Sequence, residues 1–190
     1  RAKSAIAQDE ITRLHSNGHH VHCLIRNVEQ KDALSSRGIT VTVGDATSED
    51  DMKQCIADAK EQGDINGLLH CVGSILIRPP HALNKDAFEE VITTNLTSAF
   101  LALSIAGKAM LRQGKGRMVF SSSVAGSLGL VNHEAIAAAK GGIEAMVRAS
   151  AATYARRGLR INAVAPGLTD TKMASKILSS DAMRETAAQK

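Results

Sequence analysis

Arg117-Met118-Val119-Phe120-Ser121-Ser122-Ser123-Val124-Ala125-Gly126 is the stretch on which the fold turns. Arg117 to Ser121 reads as a short strand, and the strand ends in three serines. A long helical stretch follows, Glu134 to Arg157, carrying Lys140 and stopped by Gly158. Asn162-Ala163-Val164-Ala165-Pro166-Gly167 comes next, with Ile161 to Ala165 as a further strand running into a turn. Strand, helix, strand in that order is the repeating unit of a parallel sheet.

The same alternation holds toward the N-terminus. Ala5, Ile6, Ile11 and Leu14 recur at roughly helical spacing, and Asn17-Gly18 closes that segment. Val21, Cys23 and Ile25 alternate as a strand. A helix is expected from about Val28 to Arg37, then a strand at Ile39, Val41 and Val43. Thr47 or Ser48 caps a helix whose apolar stripe is Met52, Cys55, Ile56 and Ala59. Gly67 to Val72 is expected to be a strand buried on both faces. Asn84 caps a short helix to about Val91, and a separate, longer helix runs from about Thr97 to Gln113. Thr169 onward is expected to be helical. The chain contains no internal repeat, low-complexity tract or linker. The fold class is therefore α/β, a doubly wound parallel sheet in a single domain over residues 1–190.

Composition narrows the function. A chain of 190 residues, 44% hydrophobic and 22% charged, is an ordinary globular domain. The net charge of +4 is spread out, and only Arg156 and Arg157 are adjacent basic residues. With no Trp, one Tyr and three Phe, base-stacking platforms are scarce, so no nucleic-acid partner is expected. Cys23, Cys55 and Cys71 are odd in number and widely spaced, which suits reduced thiols in a cytoplasmic protein better than disulfides or a metal site. No apolar run approaches membrane-spanning length and no signal peptide is visible, so no membrane partner is expected.

Ligands of open parallel sheets bind beyond the carboxyl ends of the strands. That rule selects Arg26, Asp45, Val72-Gly73, Ser121 to Ser123 and Pro166-Gly167.

Taken together these motifs resemble the short-chain dehydrogenase/reductase family over essentially the whole chain. In that family a Ser at a strand end, a Tyr, and a Lys four residues after the Tyr perform the chemistry. Ser123, followed directly by Val124-Ala125-Gly126, and Lys140 stand at the family spacing of seventeen residues. Four residues before Lys140 stands Ile136, a hydrocarbon in place of the expected proton donor. The only tyrosine, Tyr154, lies fourteen residues beyond Lys140 and resembles a structural residue of this helix.

The resemblance implies NADP(H), in preference to NAD(H), as cofactor. Arg26 would clamp the 2′-phosphate by charge and fork geometry, with Asn27 assisting, and Asp45 would accept from the adenine amino group. Val72 and Gly73 stand where backbone approaches the cofactor; His70 and Cys71 beside them are expected to be packed rather than catalytic. Asn95 would distort its helix and hold a water in a proton relay to Lys140. Ser123, with Ser121 and Ser122 as rivals, would bind the substrate oxygen. Lys140 would hold the nicotinamide ribose and supply positive charge. Pro166, Gly167, Thr169 and Thr171 would bind and orient the nicotinamide; Thr169 could instead cap the next helix. For the missing proton donor two sources remain. His133 shares the Lys140 face of an ideal helix, about 20° away, whereas Glu134 does not. A water bound by Lys140 and Ser123 is the other.

Two function readings follow. One is an oxidoreductase passing hydride between the nicotinamide and a small-molecule carbonyl or alcohol, 3-oxoacyl thioesters, ketones or sugars being the substrate classes. The other is a nucleotide-binding protein without turnover. The family's long helices, here Thr97 to Gln113 and Glu134 to Arg157, imply a homo-oligomer. The family's first strand with its glycine-rich phosphate loop, and its last strand, have no counterpart here; no glycine precedes Gly18. The expectation is a fragment of a longer protein, poorly stable alone, with unpaired strand edges at Val21 and Gly67 where that first strand would lie.

Overall fold

The computed structural model describes residues 5–169 and 171. Among these residues there are five parallel strands and six α-helices. They are α1 (Ala5–Ser16), β1 (His22–Ile25), α2 (Gln30–Ser35), β2 (Thr40–Val43), α3 (Glu49–Glu61), β3 (Gly67–His70), α4 (Lys85–Ile92), α5 (Ser98–Gln113), β4 (Gly116–Ser121), α6 (Glu134–Tyr154) and β5 (Leu159–Val164). The helix beginning at Thr169 lies outside the described residues.

The strands form two ladders rather than one sheet. β1 pairs with β2, His22 opposite Thr40, and β3-β4-β5 form the other, with Leu68 opposite Met118 and Met118 opposite Ile161. Among the described residues β1 and β3 each have one unpaired side. This bears on the expected burial of β3. His70 is buried, but Leu69 is 41% exposed. A strand bonded on one side only, with one face uncovered, does not bury both rows of side chains.

Alternating side chains on β1 serve different layers. Cys23 packs with Leu34 and Ile39 on one side, while Leu24 reaches the main core on the other. That core is aliphatic and alanine-rich. Ala99, Ala102, Ala106 and Met110 of α5 press on Met118 and Phe120 of β4, with Ile143 and Val147 of α6 and Leu159 and Ile161 of β5 beside them. Met52 and Ile56 of α3 join the same cluster, so α3 ties the two ladders together. Small residues on α5 let the helix sit close to the sheet with few aromatics available.

Local chemistry sets the helix boundaries. Ser48 caps α3 by accepting from the Asp51 N–H at 3.2 Å, and Asn84 caps α4 by accepting from the Ala87 N–H at 2.9 Å. The turn after α6 requires glycine. Gly158 has φ +82°, and a Cβ there would lie 2.0 Å from the Gly114 carbonyl oxygen.

One boundary differs from expectation. α4 and α5 are not separate helices: a wide, π-helical turn at Thr93–Thr97 joins them into one 29-residue helix, Lys85–Gln113. By length and composition this helix could cross a bilayer, which the two separate segments could not. Its Ala99, Ala102, Ala106 and Met110 face is instead filled by the sheet.

Candidate functional site

The joint between α4 and α5 is centred on Asn95, which is fully buried. Its amide nitrogen donates to the Val91 carbonyl oxygen at 2.9 Å and to Ser74 Oγ at 3.1 Å, and its Oδ1 accepts from the Ser74 N–H at 3.2 Å. A side chain thus occupies a carbonyl that the helix backbone would otherwise use, and the helix widens there. The expected distortion at Asn95 is present, and Ser74, which the sequence reading passed over, is the partner that holds the amide.

Gly73 sits against this amide. A Cβ at Gly73 would meet Asn95 Oδ1 at 2.8 Å and Lys140 Nζ at 3.5 Å. Glycine is needed for that approach, and the same point locates Asn95 and Lys140 within one side-chain diameter of each other. Lys140 rises from α6, is 7% exposed, and donates from Nζ to the Ser121 carbonyl oxygen at 2.8 Å, at the carboxyl end of β4. Among the described residues no carboxylate pairs with it. Burial accordingly lowers its pKa from the usual range to about 8, with Cys71 partly opposing the change.

The three serines divide the work. Ser121 offers its carbonyl to Lys140. Ser122 is buried; its one O–H is shared between Glu144 Oε1 at 2.8 Å and, more weakly, the Lys140 carbonyl oxygen at 3.2 Å. Ser123 is half-buried; its Oγ accepts from the Ala125 N–H at 3.2 Å. Among the described residues the Ser123 O–H has no acceptor, whereas the Ser122 O–H has one. Glu144 also takes the Ser127 hydroxyl at 2.9 Å, so one carboxylate straddles the Ser123 turn from both sides. These hydrogen bonds hold its carboxyl below the usual range. The sequence reading missed Glu144; its only signal was its position one turn after Lys140.

The loop after β5 closes the crevice. Ser122 N–H donates to the Val164 carbonyl oxygen at 2.7 Å and Val124 N–H to that of Pro166 at 3.0 Å. Pro166 and Gly167 are therefore brought beside Ser123. The Thr169 hydroxyl donates to the Gly167 carbonyl oxygen at 3.2 Å, a local turn. Thr171 is half-buried two residues further on.

The candidate donors fare differently. Ile136 is 4% exposed and packs with Val91, Ala125, Ala135 and Ala139 in an apolar cluster. His133 is not on the helix: it is the residue before α6, with φ −104° and ψ 14°, and its Nδ1 lies 2.7 Å from the Val131 carbonyl oxygen. His133 is the cap residue of α6, its carbonyl oxygen accepting the Ala137 N–H at 2.7 Å, and its ring is tied back to its own loop rather than to Lys140. Tyr154 packs on the main core near Leu159, far along α6 from Lys140.

His70 and Cys71 close the floor. His70 Nε2 lies 3.0 Å from Ser98 Oγ, whose own proton goes to the Thr94 carbonyl oxygen, so Nε2 carries the proton and donates. Burial, with Lys140 adding, drives the His70 pKa down to about 4, so the ring is neutral. Cys71 is a free thiol whose pKa burial raises. Both behave as packed residues, as expected.

At the ends of β1 and β2 the groups are open. Arg26 Nη1 lies 3.4 Å from Asp45 Oδ2, with both side chains substantially exposed. Asp45 Oδ1 also accepts from the Thr47 N–H at 2.9 Å and hydroxyl at 2.8 Å, and these bonds, chiefly the backbone one, lower its pKa. Asn27 is committed to Glu29, accepting from its N–H at 3.0 Å, which leaves little for assisting Arg26. Sequence reasoning assigned Arg26 and Asp45 separate roles and did not pair them.

The residues present fit both ends of a nicotinamide dinucleotide. A cationic amine and a glycine floor meet at the ends of β3 and β4, the Ser123 turn follows β4 directly, and an exposed guanidinium and carboxylate stand at β1-β2. Residues 5–169 contain no glycine-rich turn that would hold a diphosphate.

Comparison with known proteins follows that geometry. A family model described as enoyl-(acyl carrier protein) reductase matches residues 2–190. The chain is 35% identical over 167 residues to 2-(S)-hydroxypropyl-CoM dehydrogenase 3 of Xanthobacter autotrophicus, covering 85% of this chain and 66% of that protein. It is 33% identical over 174 residues to the 3-oxoacyl-[acyl-carrier-protein] reductase MabA of Mycobacterium tuberculosis, covering 89% of this chain and 65% of MabA. The crystal structure of levodione reductase superposes with a TM-score of 0.84 at 29% identity, covering 94% of this chain and 74% of that one. The chain thus spans about two thirds of the length of these two curated relatives.

Proposed function

This chain belongs to the short-chain dehydrogenase/reductase family, and on that premise we propose that the protein is an NADP(H)-preferring oxidoreductase acting on a small-molecule carbonyl or alcohol. One observation carries the reading: Lys140 is a buried cation with no carboxylate partner among the described residues, held at the crevice where three strands end. Burying an ammonium costs several kcal/mol unless something compensates it. A site that keeps such a charge at the strand ends, one turn from the Ser123 hydroxyl, suits an oxygen-rich ligand and a polarised substrate oxygen.

A bound nicotinamide supplies or accepts the hydride. Ser123 donates its O–H to the substrate oxygen and so stabilises the charge that develops there. Lys140 donates to ribose hydroxyls and keeps the local potential positive. Asn95, locked by Val91 and Ser74, holds the floor of the crevice and a relay water. Pro166, Gly167, Thr169 and Thr171 orient the nicotinamide carboxamide. Arg26 takes the 2′-phosphate; its exposed contact to Asp45 is weak enough to be exchanged for a dianion. MabA, a 3-oxoacyl-[acyl-carrier-protein] reductase, makes 3-oxoacyl thioesters the first substrates to try. The free thiols support a cytoplasmic location. The groove between α5 and α6, where Phe100 is 54% exposed beside Leu103, Met146 and Tyr154, supports pairing with a second copy.

The test is direct. Fluorescence titration of the full-length protein is expected to give tighter binding of NADPH than NADH, and Arg26→Ala is expected to weaken NADPH about tenfold while leaving NADH unchanged. NADPH oxidation is then followed against 3-oxoacyl thioesters, cyclic ketones and sugars. Equal affinity for the two cofactors sinks the NADP preference. The second reading, a binding protein without turnover, draws on the hydrocarbon packing of Ile136, which leaves no phenol in the site. Tight NADPH binding with no turnover on any substrate selects it.

A further inference from the structure

The crevice lacks an evident proton source, and the geometry narrows the choice. Ile136 has no proton to give and is sealed in an apolar cluster. Ser122 is committed to Glu144 and the Lys140 carbonyl. His70 is neutral and its one N–H is spent on Ser98. His133 stands two turns back along α6, outside the helix, anchored to its own loop.

We propose that the Lys140 ammonium is itself the general acid of this site, releasing a proton from Nζ to the substrate oxygen during carbonyl reduction. The assignment rests on the oxidoreductase reading above. Nζ carries three protons: one is in the bond to the Ser121 carbonyl oxygen, one is assigned above to the ribose, and the third is left for the substrate oxygen. The ammonium also lies at the crevice floor: a Cβ on Gly73 would be 3.5 Å from it, with Asn95 Oδ1 2.8 Å from the same point. A bound reduced nicotinamide would supply the hydride whose electron pair makes the new C–H bond at the carbonyl carbon. The C=O π pair moves to oxygen and takes a proton from Nζ, forming O–H. The broken N–H pair stays on nitrogen, leaving a neutral amine that is reprotonated from solvent.

A lysine of ordinary pKa would be a sluggish donor at neutral pH, because the best acids titrate near the working pH. Burial brings Lys140 to about 8, within that range. The titratable groups around it are few. At the end of β3 are His70 and Cys71, and Cys71 is also influenced by Glu10 of α1. On α6, Glu144 is held by Ser122 and Ser127, with Arg148 outside it at 4.0 Å. The turn at Thr93–Thr97 contributes only the neutral Asn95.

The reduction rate is expected to be flat at low pH and to fall tenfold per unit above about 8; alcohol oxidation, which needs the free amine, rises over the same range. Lysine side-chain NMR of the apoprotein gives the independent readout, a Lys140 titration with the same midpoint, allowing for the shift cofactor adds. Lys140→Arg keeps the charge but holds its proton; it is expected to lose on the order of 100-fold in kcat at saturating NADPH, a loss that a weakened ribose contact alone does not produce. Lys140→Arg turning over within threefold of wild type overturns the assignment. So does a rate limb unrelated to the NMR midpoint, a comparison that needs no variant, or one that vanishes in His133→Ala. Wild-type protein that binds NADPH but reduces nothing overturns the oxidoreductase reading itself, and this assignment with it.

Discussion

The two ladders of this molecule treat their polar groups in opposite ways. At the ends of β1 and β2, Arg26 and Asp45 stand in solvent, joined by a long and exposed contact. At the ends of β3, β4 and β5, Asn95, Ser122 and Lys140 are buried and each has a defined hydrogen bond. The cores behind them differ as well: three residues, Cys23, Leu34 and Ile39, form the cluster on one side of β1-β2, against the large α5-β4-α6 cluster. The contrast is one of division of labour. Exposed charges wait for a ligand and contribute little to folding, whereas buried ones are placed by folding and burden it. Substitutions in the first region should therefore move affinity, and in the second stability and rate.

The comparison breaks most visibly at Phe120. It is fully buried on β4, and Phe120→Ala is expected to cost about 3–5 kcal/mol. Denaturant unfolding reads this, and a cost below 1 kcal/mol would mean that the second core is not the one that holds the fold.

The next effect is a gain. Lys140 has a native pKa of about 8, below its unfolded value near 10.5. The unfolded chain therefore binds more protons between those pH values, so stability should rise with pH across that window and be lowest below it. Lys140→Met should remove this slope and stabilise the protein by about 2–3 kcal/mol at pH 7, to order of magnitude, while abolishing turnover. Thermal melts of both proteins from pH 7 to 10.5 check the sign; a wild-type melting point that falls on approaching pH 10 relative to the variant contradicts it.

Asn95→Asp sharpens the electrostatic side. A carboxylate at the Gly73 floor would favour the charged amine, so the Lys140 titration should move up by about one unit or more, and the reduction limb with it. An unmoved limb separates Lys140 from the rate. The smallest effect belongs to the other region: Arg26→Ala should change stability by less than about 0.5 kcal/mol, although NADPH affinity falls. A larger loss would make the Arg26–Asp45 contact structural and erase the contrast.

Much of this layout was legible in the residues. Caps at Ser48 and Asn84, the stop at Gly158, and the places where strands end all depend on neighbours within four or five positions, and side-chain chemistry there is local. Asn95 was legible for the same reason: an amide inside a helical run needs a partner one turn away. What escaped notice depends on packing between distant segments. Nothing near Glu144 announces that it will reach Ser122 and Ser127, and nothing near Arg26 announces Asp45. The joining of α4 to α5 was hidden because Thr93 to Thr97 looks like a break to any pattern of 3.6 residues per turn. His133 misled for the mirror-image reason, since an ideal helix extended backward gives it a face, while its ring is tied back to its own loop.

The wide turn at Thr93–Thr97 also acts as a phase shifter. Letting the hydrogen-bond ladder heal into a regular α-helix with every residue kept would, locally, relieve an irregularity. It would also rotate everything beyond it by about 100°, turning the stripe of Ala99, Ala102 and Ala106 away from Phe120 and facing the sheet with Phe100 and its neighbours. The irregular turn thus keeps two clocks in step: one sets the amide at the crevice floor, the other the seam along which the long helix meets the strands. A mutation that tidies the backbone would desynchronise them.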